Sequence, residues 1–134
     1  MFVVVVDPAS CSRQDWRNFD TCRSSSHAVQ LRDFIRRLSY GTVLVGVSCD
    51  EASRHLGPAV PTLGALGADV SDVRNRGAFA FVAEKGDPSK TVLDKVLDQE
   101  AAMRLPQVNA SFALQVRIIY SSLFHQRRQQ TQER

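Results

Sequence analysis

The chain has 134 residues, one domain's worth, with 43% hydrophobic and 23% charged side chains. That composition excludes collagen-like, coiled-coil and disordered classes, and a chain of this size buries about two-thirds of its unfolded surface. The net charge of +3 comes entirely from residues 115–134, where Arg117, Arg127, Arg128 and Arg134 face a single Glu133. The remainder is neutral, with thirteen side chains of each sign, so no basic surface for nucleic acid is expected. Apolar runs such as Phe2 to Val6 are far short of the ~20 residues of a membrane span, and no direct membrane insertion is expected. Phe2 to Val6 also lacks the flanks of a signal peptide.

Phe2–Val6 is a β-branched run stopped by Asp7 and Pro8, the pattern of a strand buried on both faces. Arg13 to Thr21 reads as a second, more polar strand that follows a hairpin connection. Cys11 and Cys22 then sit at its two ends, too far apart to bridge at about 3.3 Å per residue. Ser24, Ser25 and Ser26 offer an N-cap to a helix beginning near His27. Its apolar stripe is Ala28, Leu31, Phe34, Ile35 and Leu38, and Arg36 and Arg37 favour the negative end of its dipole. Thr42 to Ser48 is another β-branched strand, followed by a polar turn from Cys49 to Ser53.

Gly57 and Pro58 open a short helix that Leu66 and Gly67 close, with Pro61 poorly placed inside it. Ala78 to Ala83 is a strand. Thr91 to Arg104 reads as a short helix or an irregular charged segment, and Val108 to Leu114 as a final strand. Residues 115–134 read as a disordered or loosely attached tail.

No catalytic constellation emerges. Asp7 ends a strand as a nucleotide-binding carboxylate would, but no phosphate-cradling glycines follow it, and a turn role fits better. Cys49 with His55 is conceivable as a nucleophilic pair, yet a cysteine beside a buried strand is usually structural. Asp50 and Glu51 are adjacent and point apart, so capping suits them better than acid/base work. His27, His55 and His125 share no spacing motif, and neither a metal nor any other cofactor is expected. Asn109, Ala110 and Ser111 match the N-glycosylation pattern. Phe79 and Phe81 share one strand face, which suits a core.

The order of motifs resembles the interleukin-like EMT inducer (ILEI) domain, also called the GG domain. That domain is known from secreted interleukin-like proteins, hyaluronan-related cell-migration-inducing and cell-surface hyaluronidase proteins, and the stem of protein O-mannose N-acetylglucosaminyltransferase. The matching segments are the strand and turn Val3 to Ala9, then Asn18-Phe19-Asp20-Thr21, then the helix Leu31 to Leu38 with Gly41 to Val45. Asp50-Glu51-Ala52-Ser53 follows, then Leu63 to Gly67, and finally Arg76 to Val82 with Lys85 and Gly86. The resemblance spans residues 2–114.

It implies an α+β fold, a compact single domain of two small twisted sheets with flanking helices, and no catalytic activity. It also implies a secreted, extracellular or Golgi-luminal setting. The implied function is recognition of a glycan containing N-acetylglucosamine, within a larger glycan-handling protein. Asp50 and Arg76 are the implied polar sugar contacts, and Phe79 stands where the family carries an aromatic platform. The alternative is a cytokine-like secreted protein acting through contacts with a cell-surface or extracellular protein. The chain departs from the family pattern at Ala52, Gly77 and Phe79. A further sugar-site arginine would lie ahead of Met1, which implies an upstream segment.

Overall fold

The computed structural model describes residues 1–48 and 51–98. Asp50, Asn109, His125, the strand expected at 108–114 and the tail at 115–134 lie outside the described residues. The elements in chain order are β1 (Phe2–Val6), β2 (Arg13–Asn18), α1 (Ser25–Arg37), β3 (Val43–Val47), a 3-10 turn (Gly57–Ala59), α2 (Val60–Ala65), β4 (Ala78–Glu84) and β5 (Asp87–Val96). The five strands form a single sheet, ordered β2-β1-β3-β4-β5 with every neighbour antiparallel. The α+β class holds. Among the described residues there is one sheet in place of the two expected.

Each element has a local cause. Ser24 caps α1, its hydroxyl accepting from the Ser26 N–H at 3.1 Å, and Arg36 and Arg37 occupy the last turn. The two prolines between β3 and β4 are accommodated by splitting one helix into two short pieces. Pro58 lies in the 3-10 turn, and α2 starts afresh at Val60, so Pro61 falls in a first turn where its missing N–H costs nothing. Gly67, at φ +91°, then ends α2. Its N–H donates to Gly64 O, and the Ala68 N–H donates to Leu63 O, the paired bonds of a Schellman stop.

The reading of Thr91 to Arg104 as a short helix or irregular segment is corrected over residues 91–96, which belong to β5, while residues 99–104 lie outside the described residues. Lys85 and Gly86 make a two-residue turn, with Gly86 at φ +95°, and return the chain antiparallel onto β4. The polar sequence of β5 suits an edge strand, where charged side chains deter further pairing.

The pleat sorts side chains onto two faces. Val3, Leu44, Phe79, Phe81 and Ala83 point to the side covered by α1 and α2, where Ala28, Leu31, Ile35 and Leu63 meet them. Gly46 makes room for the Phe81 ring. A Cβ there would lie 2.3 Å from Phe81 Cε1.

Candidate functional site

Arg76 stands at the entrance to β4, where β3 leaves the sheet. The Ser48 N–H donates to Phe79 O at 2.9 Å, and Ser48 Oγ accepts from the Phe79 N–H at 2.8 Å, so the β3–β4 ladder runs one pair beyond the strands. Ahead of it, residues 74–77 turn tightly, with the Gly77 N–H on Arg74 O and the Arg74 N–H on Leu97 O, both at 2.8 Å. Arg76 takes a left-handed conformation at φ +61°, unusual for a residue with a side chain.

Glu51 holds it there. One Glu51 carboxylate oxygen accepts from the Arg76 N–H and the other from the Ser53 hydroxyl, joining the acidic turn to the β4 entrance. The turn is fixed from behind by Thr21, whose buried hydroxyl donates to Ala52 O at 2.7 Å and whose carbonyl accepts from the His55 N–H at 2.9 Å. The Arg76 side chain is exposed and makes no hydrogen bond or ion pair among the described residues. A carboxylate-anchored backbone presenting a free guanidinium fork suits a ligand rich in hydroxyl oxygens.

The sequence-derived residues fare unevenly. Arg76 is placed beside the acidic turn, but the residue that joins them is Glu51. Asp50 lies outside the described residues. Phe79 is corrected as a ligand platform: it is 0% exposed and sits within the core under α1 and α2, as its pairing with Phe81 on one strand face suggested. Gly77 has a steric reason, since a Cβ there would lie 2.6 Å from both Val96 O and Leu97 O.

Two of the remaining candidates make local structural hydrogen bonds. Asp7 accepts from the Ala9 N–H at 2.8 Å within its turn, and His27 Nδ1 accepts from the Asp20 N–H at 3.2 Å. Cys11 and Cys22 are free thiols. Cys49, the proposed partner of His55, lies outside the described residues.

A second feature was not anticipated. A cleft of about 520 Å³ opens between the end of α1, α2 and the β4–β5 turn, lined by Ile35, Arg36, Tyr40, Pro61, Thr62 and Lys85 among others. Tyr40 is 85% exposed. Lys85 is fully engaged there, donating to Ile35 O, Arg36 O and Leu38 O at 2.9, 2.6 and 2.5 Å. Strand β4 separates this cleft from Arg76 by about 20 Å, at 3.3 Å per residue.

A single antiparallel sheet with its helices on one face, and motifs concentrated in its connecting turns, defines a small α+β domain with no assembled catalytic group among the described residues. The family model for the interleukin-like EMT inducer, ILEI, matches residues 1–87, and the chain belongs to that family. No curated protein matches the chain. No helix among the described residues is long and apolar enough to cross a membrane.

Proposed function

We propose that the domain is a non-catalytic recognition module that binds a glycan containing N-acetylglucosamine, with Arg76 as the principal donor and Asp50 as an acceptor. The observation that carries this reading is the free, exposed Arg76 guanidinium on a backbone pinned by Glu51. Arginine donates to several sugar oxygens at once, and a carboxylate accepts from hydroxyls. The setting that fits is secreted, extracellular or Golgi-luminal, with Asn109 as a glycosylation acceptor and the domain as part of a larger glycan-handling protein. No cofactor enters this function.

The test is a glycan array probed with the full chain, made in an oxidising secretory host, beside Arg76→Ala. Selective binding to terminal N-acetylglucosamine, lost in a variant with an unchanged melting curve, supports the reading. Binding that survives in Arg76→Ala refutes the site, and a silent array from folded protein refutes the ligand class.

A second reading, cytokine-like action through protein contacts, is favoured by Phe2 and Trp16, an exposed aromatic pair stacked at 6.1 Å on the sheet face away from the helices. Receptor binding that is indifferent to sugar and abolished by Trp16→Ala would establish it.

A further inference from the structure

The cleft between the end of α1, α2 and the β4–β5 turn holds polar groups that the fold uses unevenly. Lys85 spends its ammonium on Ile35 O, Arg36 O and Leu38 O. Arg36, exposed in the last turn of α1, makes no side-chain hydrogen bond or ion pair among the described residues. Thr62 and Thr21 are the buried polar residues of the described part of the chain. The Thr21 hydroxyl is taken by Ala52 O, whereas Thr62, only 9% exposed, has a hydroxyl with no hydrogen bond among the described residues. No side-chain oxygen or nitrogen among those residues is sealed from solvent without a partner. The Thr62 hydroxyl therefore reaches water, and the cleft that Thr62 lines is where it opens. A buried hydroxyl is ordinarily satisfied within the protein; this one is left to whatever fills the cleft.

The electrostatics of the cleft favour an anion. The C-terminal end of a helix ordinarily repels one, but here the Lys85 ammonium covers three carbonyls at that end. No carboxylate lines the cleft among the described residues, so the Arg36 guanidinium is its uncommitted charge. The rest of the lining offers flat and apolar surface. Pro61 and Pro88 are exposed on two sides, and the Tyr40 ring packs against Gly86, where a Cβ would lie 2.6 Å from Tyr40 Cδ1. A tyrosine as exposed as Tyr40 keeps most of its ring free for stacking.

We infer that this cleft is a binding site for a small organic carboxylate with a flat apolar ring. Arg36 takes the carboxylate through its planar fork, Tyr40 and the two prolines take the ring, and the buried Thr62 hydroxyl supplies a further hydrogen bond. One free guanidinium balances a monoanion. The apolar walls disfavour a strongly hydrated phosphate dianion, whose desolvation a single arginine does not offset. A volume of about 520 Å³ suits a ligand of this kind. The site stands apart from the glycan contact proposed at Arg76 and does not depend on it.

The test is an amide NMR titration of the full chain with benzoate, beside benzamide as the uncharged comparison and acetate as the one without a ring. Benzoate is expected to shift the amides of Arg36, Tyr40, Thr62 and Gly86 saturably, with a Kd of about 1 mM. Benzamide and acetate should bind at least about tenfold more weakly. Arg36→Gln is expected to weaken benzoate about tenfold. Thr62→Val keeps the shape and removes a hydroxyl that has no partner in the fold, so it should weaken benzoate severalfold without lowering the melting temperature. Arg37→Gln removes the next charge on α1, outside the lining of the cleft, and should leave binding unchanged. The inference is overturned if benzoate gives no saturable shift or if benzamide binds as tightly as benzoate. It is overturned equally if Arg37→Gln weakens binding as much as Arg36→Gln does, since the attraction would then be that of general charge.

Discussion

Replacing Lys85 by methionine keeps the apolar stem and removes the ammonium that closes α1. Three carbonyls at the end of α1, those of Ile35, Arg36 and Leu38, lose their shared donor. The bonds to Ile35 O and Leu38 O are part-buried and the bond to Arg36 O is exposed, so water replaces the last most easily. Two part-buried charged bonds at about 1 kcal/mol each, with about 0.5 kcal/mol for the lost charge at the helix C-terminus, give a destabilisation of about 2–3 kcal/mol. For a domain of this size that is a fall in Tm of about 10–20 °C. Urea unfolding followed by circular dichroism measures it directly. Lys85→Arg should recover only part, because a planar guanidinium cannot aim one nitrogen at three converging carbonyls. Tyr40→Ala removes only the ring 5.7 Å from the ammonium and should cost under about 1 kcal/mol. A loss below about 0.5 kcal/mol in Lys85→Met would show that water replaces all three bonds, and the closure argument would fail.

Gly46→Ala forces a methyl group into the Phe81 ring and should cost about 1–3 kcal/mol by urea unfolding, although Gly46 needs no unusual φ. Thr21→Val preserves shape but leaves the Ala52 carbonyl without its buried donor; about 1–2 kcal/mol is expected, and a neutral result would mean the acidic turn is held by other contacts. In acid, the Ser71 hydroxyl and backbone N–H, aided by Lys95, hold the Asp69 carboxyl below its ordinary 3.8. The Ser89 hydroxyl, aided by Lys90, does the same for Asp87. Folded-state values that are depressed mean the unfolded chain takes up protons first. These groups therefore stabilise the fold above the ordinary value and lose that effect as pH falls through the folded values. Urea midpoints followed from about pH 5 to about pH 2 should drop less steeply in the Asp69→Asn, Asp87→Asn pair than in the parent.

The regular elements were legible where one local signal dominates. The β-branched runs at Phe2–Val6 and Val43–Val47 and the serine-capped stripe of α1 each name their own structure. Segments with competing signals were not. Pro58 and Pro61 each require a first helical turn, and only two short pieces in series satisfy both. The charged sequence of β5 carries little strand signal because an edge strand is half solvated, and its pairing is decided by the Lys85–Gly86 turn. The latch between Glu51 and Arg76 joins residues 25 apart through a carboxylate and a backbone N–H, for which no spacing rule exists. Phe79 shows the opposite case: its alternation with Phe81 indicated the core correctly, whereas the aromatic platform carried over from the family did not fit.

The motifs that carry the family resemblance can be separated by what their polar groups do. In Asn18–Thr21, the Asp20 carboxylate caps the Arg23 N–H and the Thr21 hydroxyl pins the acidic turn. Leu63–Gly67 is spent on stopping α2, and Lys85 on closing α1. Glu51 and Ser53 are spent on each other and on the Arg76 backbone. Once these joints are accounted for, the guanidinium of Arg76 is left without a partner among the described residues, as is that of Arg36 on the exposed side of α1. Arg76 stands on a left-handed backbone that the fold holds in place with a carboxylate drawn from another turn. A position held at such conformational cost, with its side chain unused by the fold, supports the proposed glycan contact at Arg76, which Arg76→Ala tests.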